Sequence, residues 1–394
     1  MSLRPRRAAI LDRRVVGWRA IACAAAAFFS FAGNAAAAGD AAGWLEAAET
    51  AMTRGDTPAA IALLDRAAAM SHAADTEMAL VRAYVQQGDY RRALAFAAHV
   101  AGAHRDAPAA TALYAWLLSV GGQGPFAQRL LKEAWLRAPH DAVLSEAQSR
   151  LQTAGATATP ALLDRPHRMA PHGVMLPGQP PLPPTARTVA SGVLLQDGRH
   201  ALVPSGAVAG ESSPLWLRDG LGRTTAARVE RRLEAVGLAL VTLDAPLDGS
   251  ATLPVQRDPF AGSPGFVVAF TPADDAAPAW PWLYQGFLGG LGAAPSTGRR
   301  LGIDVPPPVH GAPVFDAAGG WCGIAMKRND GGHELLGMQR LRDEVGAALL
   351  PPPQAPPGGP DGGGWRKRAL PDEIFEASLR VALQVVTAPV SPSP

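Results

Sequence analysis

Three glycine-bearing turns at a near-constant period constrain this chain more than any other feature. Gly55-Asp56-Thr57-Pro58-Ala59-Ala60 recurs as Gly88-Asp89-Tyr90-Arg91-Arg92-Ala93 and, more loosely, as Gly122-Gln123-Gly124-Pro125-Phe126-Ala127. Ala60, Ala93 and Ala127 therefore lie 33 and 34 residues apart. A period of that size marks stacked helical hairpins, each of which buries its apolar face only against its neighbours. Ala67, Val100 and Ala134 follow seven positions after the anchoring alanines, on the same helix face, where two helices of a pair must approach closely. Pro139 closes the third copy, and a capping helix is expected from about Asp141 to Gln152. Leu45, Leu80, Tyr84, Leu113, Trp116, Leu117 and Trp135 are expected to fill the shared core. His72, His99, His104 and His140 lack metal-ligand spacing and are expected in solvent or in turns.

The pattern resembles the tetratricopeptide repeat, about three copies over residues 41–154. The resemblance implies a concave groove that receives a protein or peptide partner.

The 394 residues exceed one ordinary core, and 37 Pro and 42 Gly indicate substantial connecting segments. Residues 1–38 read as a signal peptide: Arg4, Arg6, Arg7, Arg13, Arg14 and Arg19, then an apolar run from Ala20 to Ala32, then Ala35 to Ala38. A periplasmic or secreted location follows from that reading. An uncleaved anchor is the alternative, although the run is shorter than the roughly 20 residues a span needs. Arg13-Arg14 leaves Sec and twin-arginine export both open. Cleavage would leave 30 basic and 33 acidic residues, a formal −3. No basic face for nucleic acid is supported, and no membrane span is expected after cleavage. Only Cys322 would remain, which excludes an intrachain disulfide.

Residues 155–186 carry Pro160, Pro166, Pro171, Pro177, Pro180, Pro181, Pro183 and Pro184 and read as a semi-extended linker with some freedom, its His167 and His172 solvated. From Thr188, short apolar runs are punctuated by Gly, Pro and Asp, a pattern of all-β structure. Strands are expected over 189–195, 201–204, 215–218, 238–243, 265–270, 282–287 and 321–326.

Four motifs over residues 187–350 resemble, in order, the bacterial periplasmic trypsin-like proteases. They are Ser191-Gly192-Val193 leading to Leu202-Val203-Pro204-Ser205-Gly206-Ala207-Val208; Gly237-Leu238-Ala239-Leu240; Asp304-Val305-Pro306 with His310-Gly311-Ala312-Pro313-Val314 and Gly320-Trp321-Cys322-Gly323-Ile324; and Leu335-Leu336-Gly337. The fold class so implied is a multidomain α plus all-β chain, helical-hairpin repeats followed by a trypsin-like double β-barrel. Carried across by position, the family's base falls on Gly206, its orienting aspartate on Gly237 and its nucleophile on His310. An oxyanion donor position falls on Pro308, which has no N–H. Acyl transfer by this route needs a hydroxyl, a base and a carboxylate. Losing one oxyanion donor costs on the order of 10²-fold and losing the triad about 10⁶-fold.

Among the remaining candidates, Ser263 is followed by Pro264 and reads as a turn between strands. His200 and His333 read as surface turns, and Cys322 as a buried inert thiol. No cofactor and no metal site is indicated. Residues 351–370 are a second Pro/Gly-rich linker with Arg366-Lys367-Arg368, and residues 371–388 read as an amphipathic helix capped by Asp372, with Phe375, Leu379, Ala382, Leu383 and Val386 on one face. The same segment resembles the helix and first strand that lead into the protease fold, moved to the C-terminus, and is expected to dock on the barrel, in cis or from a second copy.

The function expected is that of an exported non-catalytic scaffold, a pseudoprotease that binds protein or peptide through the repeat groove and its old substrate cleft. The alternative is a trypsin-like serine peptidase whose active site has moved.

Overall fold

The computed structural model describes residues 34–153, 157–208, 213–248, 258–289, 299–351 and 368–389. Most of the expected signal peptide, residues 1–33, lies outside these residues.

Seven helices open the described chain: α1 (Asn34–Thr53), α2 (Thr57–Met70), α3 (Ala74–Gln87), α4 (Tyr90–Ala103), α5 (Pro108–Val120), α6 (Gly124–Arg137) and α7 (Ala142–Leu151). The repeat turns separate the hairpin partners as expected. Gly88 ends α3 with φ +97°, a left-handed conformation that costs a glycine little, and its N–H returns to the carbonyls of Tyr84 and Val85. Asp56 caps α2 by accepting the Ala59 N–H. Ala60, Ala67, Ala93 and Ala127 are completely buried, with Val100 and Ala134 nearly so. Trp135, expected inside, is 41% exposed because it lies outside the α6 stripe of Ala127, Leu131 and Ala134.

Thirteen strands follow among the described residues. They are β1 (Val174–Met175), β2 (Arg187–Leu194), β3 (His200–Pro204), β4 (Leu215–Asp219), β5 (Arg223–Leu233), β6 (Leu238–Leu243), β7 (Ser263–Ala269), β8 (Trp282–Leu288), β9 (Arg299–Gly302), β10 (Ala312–Asp316), β11 (Trp321–Lys327), β12 (His333–Gly337) and β13 (Ala382–Thr387). Helix α8 (Met338–Val345) follows β12, and α9 (Pro371–Ser378) precedes β13. All seven expected strands are present.

Two six-stranded antiparallel barrels result. The first runs β5-β4-β13-β2-β3-β6 and closes through β5–β6 pairing, with β1 added in parallel on β5. The second closes as β10-β11-β12-β9-β8-β7. Two antiparallel six-stranded barrels in succession form a chymotrypsin-like double barrel. Ala190, Val203, Leu217, Val241, Leu383 and Val385 pack inside the first, and Val267, Leu288, Val314, Cys322, Ala325 and Leu335 inside the second. Closure removes the edges that would otherwise expose unpaired backbone groups.

The amphipathic helix expected over 371–388 is helical only over Pro371–Ser378, and Ala382–Thr387 is the strand β13 between β2 and β4. Every β13 residue is buried, so its apolar run shows no alternation and its spacing also fits a helix. The cap is Leu370, whose N–H donates to the Glu373 carboxylate; Asp372 lies in the first turn. Buried Gln384 fixes the register of β13 by donating to the Thr188 hydroxyl at 2.7 Å and the Ala277 carbonyl at 3.0 Å, while accepting from Arg218 at 3.1 Å.

The described part of the linker is not free. Leu162, Met169, Ala170 and His172 are buried. Arg82 of α3 donates to the Pro166 carbonyl at 2.7 Å, and the His172 N–H donates to Gln86 of the same helix at 2.8 Å. His172 also meets Glu49 at 3.1 Å. These contacts hold the segment where its composition suggested a loose tether. Continuous apolar packing then joins the repeats to the barrels.

Candidate functional site in the cleft between the barrels

The loop that enters β10 carries Pro308, Val309, His310 and Gly311. Gly311 has φ +82°, and a Cβ there would lie 2.4 Å from the Ser191 carbonyl oxygen, so a side chain is excluded on two grounds. The Ser191 N–H donates to the His310 carbonyl at 2.9 Å, which ties the loop to the first barrel. From the other side the His333 ring bonds the Val309 carbonyl at 2.8 Å. His333 is 5% exposed, so it is a buried support for this loop and not the surface turn residue expected.

His310 lines a cleft of about 420 Å3 together with Arg187, Val189, Gly206, Ser213, Pro308, Lys327 and Thr387. A contiguous space of about 530 Å3 continues past His310 and Lys327 to Arg328, Asn329 and Pro307. Three of the four positions singled out in the sequence, Gly206, Pro308 and His310, thus share one cleft. Gly237 is not among the residues that line it: its carbonyl accepts the Ser205 N–H at 3.0 Å, and a Cβ would meet only the Met326 methyl at 3.6 Å. At Gly206 a Cβ would point into open space.

The Lys327 N–H donates to His310 Nδ1 at 2.9 Å, which fixes the neutral tautomer with its proton on Nε2. Burial, followed by the nearby His333 and Lys327, pushes the His310 pKa down to about 4. A neutral imidazole could accept a proton only at a ring nitrogen that is free, and here Nδ1 is engaged. Ser213 is the one serine that lines the cleft among the described residues, and no hydrogen bond joins it to His310. No Asp or Glu is among the described residues that line it.

Several of the other histidines have partners that their spacing did not reveal. His72 and His104 lie in the connections after α2 and α4, as expected, and His72 is 76% exposed; both also bond the buried Glu77 carboxylate, at 3.0 and 2.9 Å. His200 bridges Asp197 and Glu230. Cys322 is buried with its thiol pKa raised by desolvation, and it contacts the Val314 carbonyl at 3.3 Å. Among the described residues no cluster suited to a metal ion occurs, and no helix is long and apolar enough to cross a membrane.

The inner helices α3 and α5, which would floor the expected groove, are buried along almost their whole length. Trp116 of α5 meets Trp282 of β8 with ring centroids 6.2 Å apart, and Met169, Phe270 and Trp280 line the same junction. The linker and second barrel therefore lie against the surface that a groove ligand would use.

A family model described as tetratricopeptide repeat matches residues 51–117. No curated protein matches the chain. Among solved structures, the apo MamO protease domain from Magnetospirillum magneticum is similar at 17% identity over 41% of this chain and 95% of that one, with a TM-score of 0.31. The family match and the strand order give the architecture directly: a tetratricopeptide-repeat array packed against a double barrel of the trypsin-like fold.

Proposed function

We propose that the protein is an exported, non-catalytic scaffold that binds polypeptide in the cleft between its barrels. One observation carries this reading. The ring that stands at the nucleophile position is a half-buried, neutral histidine whose Nδ1 is already bonded to a backbone N–H, with no hydroxyl bonded to it. Nucleophilic catalysis needs a hydroxyl or thiol with a base in reach and a group to orient that base. The repeats support a protein partner for the molecule, since such arrays serve widely as protein-binding scaffolds. Export rests on the basic and then apolar leader.

A second reading, a hydrolase with a moved site, draws on Ser213, which shares the cleft with His310. Purified protein incubated with casein and with fluorogenic peptides separates the two. The scaffold reading expects no turnover above that of His310→Ala; turnover lost in both Ser213→Ala and His310→Ala would establish the hydrolase.

A further inference from the structure

A protease-like cleft ordinarily grips a peptide by adding it as a strand, which takes free backbone donors and acceptors on the edge it joins. Here two groups of that edge are already engaged. The β10–β11 ladder ends at Ala312↔Ala325, so β11 runs on past its partner and presents Ala325 and Lys327 on the same side. The Ala325 carbonyl accepts the Gly311 N–H at 2.9 Å. The Lys327 N–H goes to His310 Nδ1 at 2.9 Å. The loop that caps the edge is itself held from both sides, by Ser191 and by His333. A guest strand would have to displace these bonds for no net gain in hydrogen bonding.

Charge is what the cleft still offers. Arg187, Lys327 and Arg328 line it, and no carboxylate does among the described residues. Arg328 is shared with Asp330 at 3.0 Å, whereas Arg187 and Lys327 have no ion-pair partner among the described residues. A recess lined by one sign of charge focuses its field on a ligand of the other sign. The lining holds no Phe, Tyr or Trp ring on which a base could stack, which disfavours single-stranded nucleic acid.

We infer that the cleft receives an acidic, extended polypeptide segment, gripped by Arg187, Lys327 and Arg328 instead of by strand addition to β11. This rests on the polypeptide-binding reading above and narrows it to a ligand class. His310 then acts as the plug of the strand edge, so that side-chain charge and not backbone pairing selects the partner.

The test is fluorescence anisotropy on the full-length protein with three labelled probes: a short peptide of alternating Glu and Ala, its Gln-Ala counterpart, and a thymidine oligonucleotide. The Glu peptide is expected to bind at least ~10-fold more tightly than the Gln peptide, with affinity falling as salt rises. The exposed substitutions Arg187→Glu and Lys327→Glu together are expected to lower that affinity at least ~10-fold while the circular dichroism melt is unchanged. In His310→Ala, which frees the Lys327 N–H, the preference for Glu over Gln is expected to persist. Equal affinity for the two peptides would overturn the acidic class and leave polypeptide binding standing. Tighter binding of the oligonucleotide would also overturn it. Binding of neither these peptides nor a random peptide pool would remove the polypeptide-binding reading as well.

Discussion

Tyr90 of α4 and Phe375 of α9 meet edge to face with ring centroids 4.6 Å apart, which joins the second repeat to the C-terminal segment. Both side chains are fully buried, and the Tyr90 hydroxyl donates to the Leu117 carbonyl at 2.7 Å. The segment that begins at α9 ends as β13, the strand without which the first barrel cannot close. Phe375→Ala is therefore expected to destabilise the protein by about 3 to 5 kcal/mol. Urea unfolding followed by far-UV circular dichroism and by tryptophan fluorescence should give coincident transitions, both shifted. A shift confined to the fluorescence transition would mean that repeats and barrel unfold separately.

Beside that contact, Arg91 holds Glu376 through its backbone N–H at 2.8 Å and its guanidinium at 2.9 Å. Arg91 is about half exposed, so the pair contributes at most about 1 kcal/mol. Arg91→Glu is expected to cost about that much, and adding Glu376→Arg to recover most of it. A double-mutant cycle in thermal melts reads the coupling, which should shrink in high salt.

His310 gives a pH dependence of known sign. Its pKa in the folded protein is about 4 against an ordinary value of about 6.5. The unfolded chain therefore binds the proton more readily. Stability is complete above about pH 6.5 and is lost as pH falls toward 4, by roughly 3 kcal/mol from this group. Denaturant midpoints across that window should fall less steeply for His310→Asn than for the unaltered protein.

Cys322 should be inert in the native state. Its thiol is buried and its pKa is raised by desolvation, so little thiolate forms at neutral pH. Ellman's reagent is expected to titrate no thiol natively at Cys322 and one on unfolding; rapid native reaction would show that the second barrel opens.

The repeats were legible in the sequence because close helix packing demands small residues at a fixed period, and Ala60, Ala93 and Ala127 meet that demand. Seven strands were legible as short apolar runs. Strand β5 was not, since Arg228, Val229, Glu230 and Arg231 lie on its exposed stretch and give no apolar run. Strand β13 was read as helix because burial of its whole length erased the alternation that distinguishes the two. The linker misled for a related reason: its prolines suggest extension, while Met169 and His172 are buried by helices distant in sequence. In the cleft, the order of motifs marked Gly206, Pro308 and His310. Nothing local marked His333 as the support of the 308–311 loop or the Lys327 N–H as the partner of His310, because both contacts form only when the second barrel closes.

The central claim is that the cleft holds a polypeptide without cleaving it. Its most direct test is intact-mass spectrometry of the purified protein after exposure to a serine-directed fluorophosphonate. The account expects no adduct on any residue of the cleft. An adduct on Ser213 that disappears in His310→Ala would show an activated nucleophile there and contradict it.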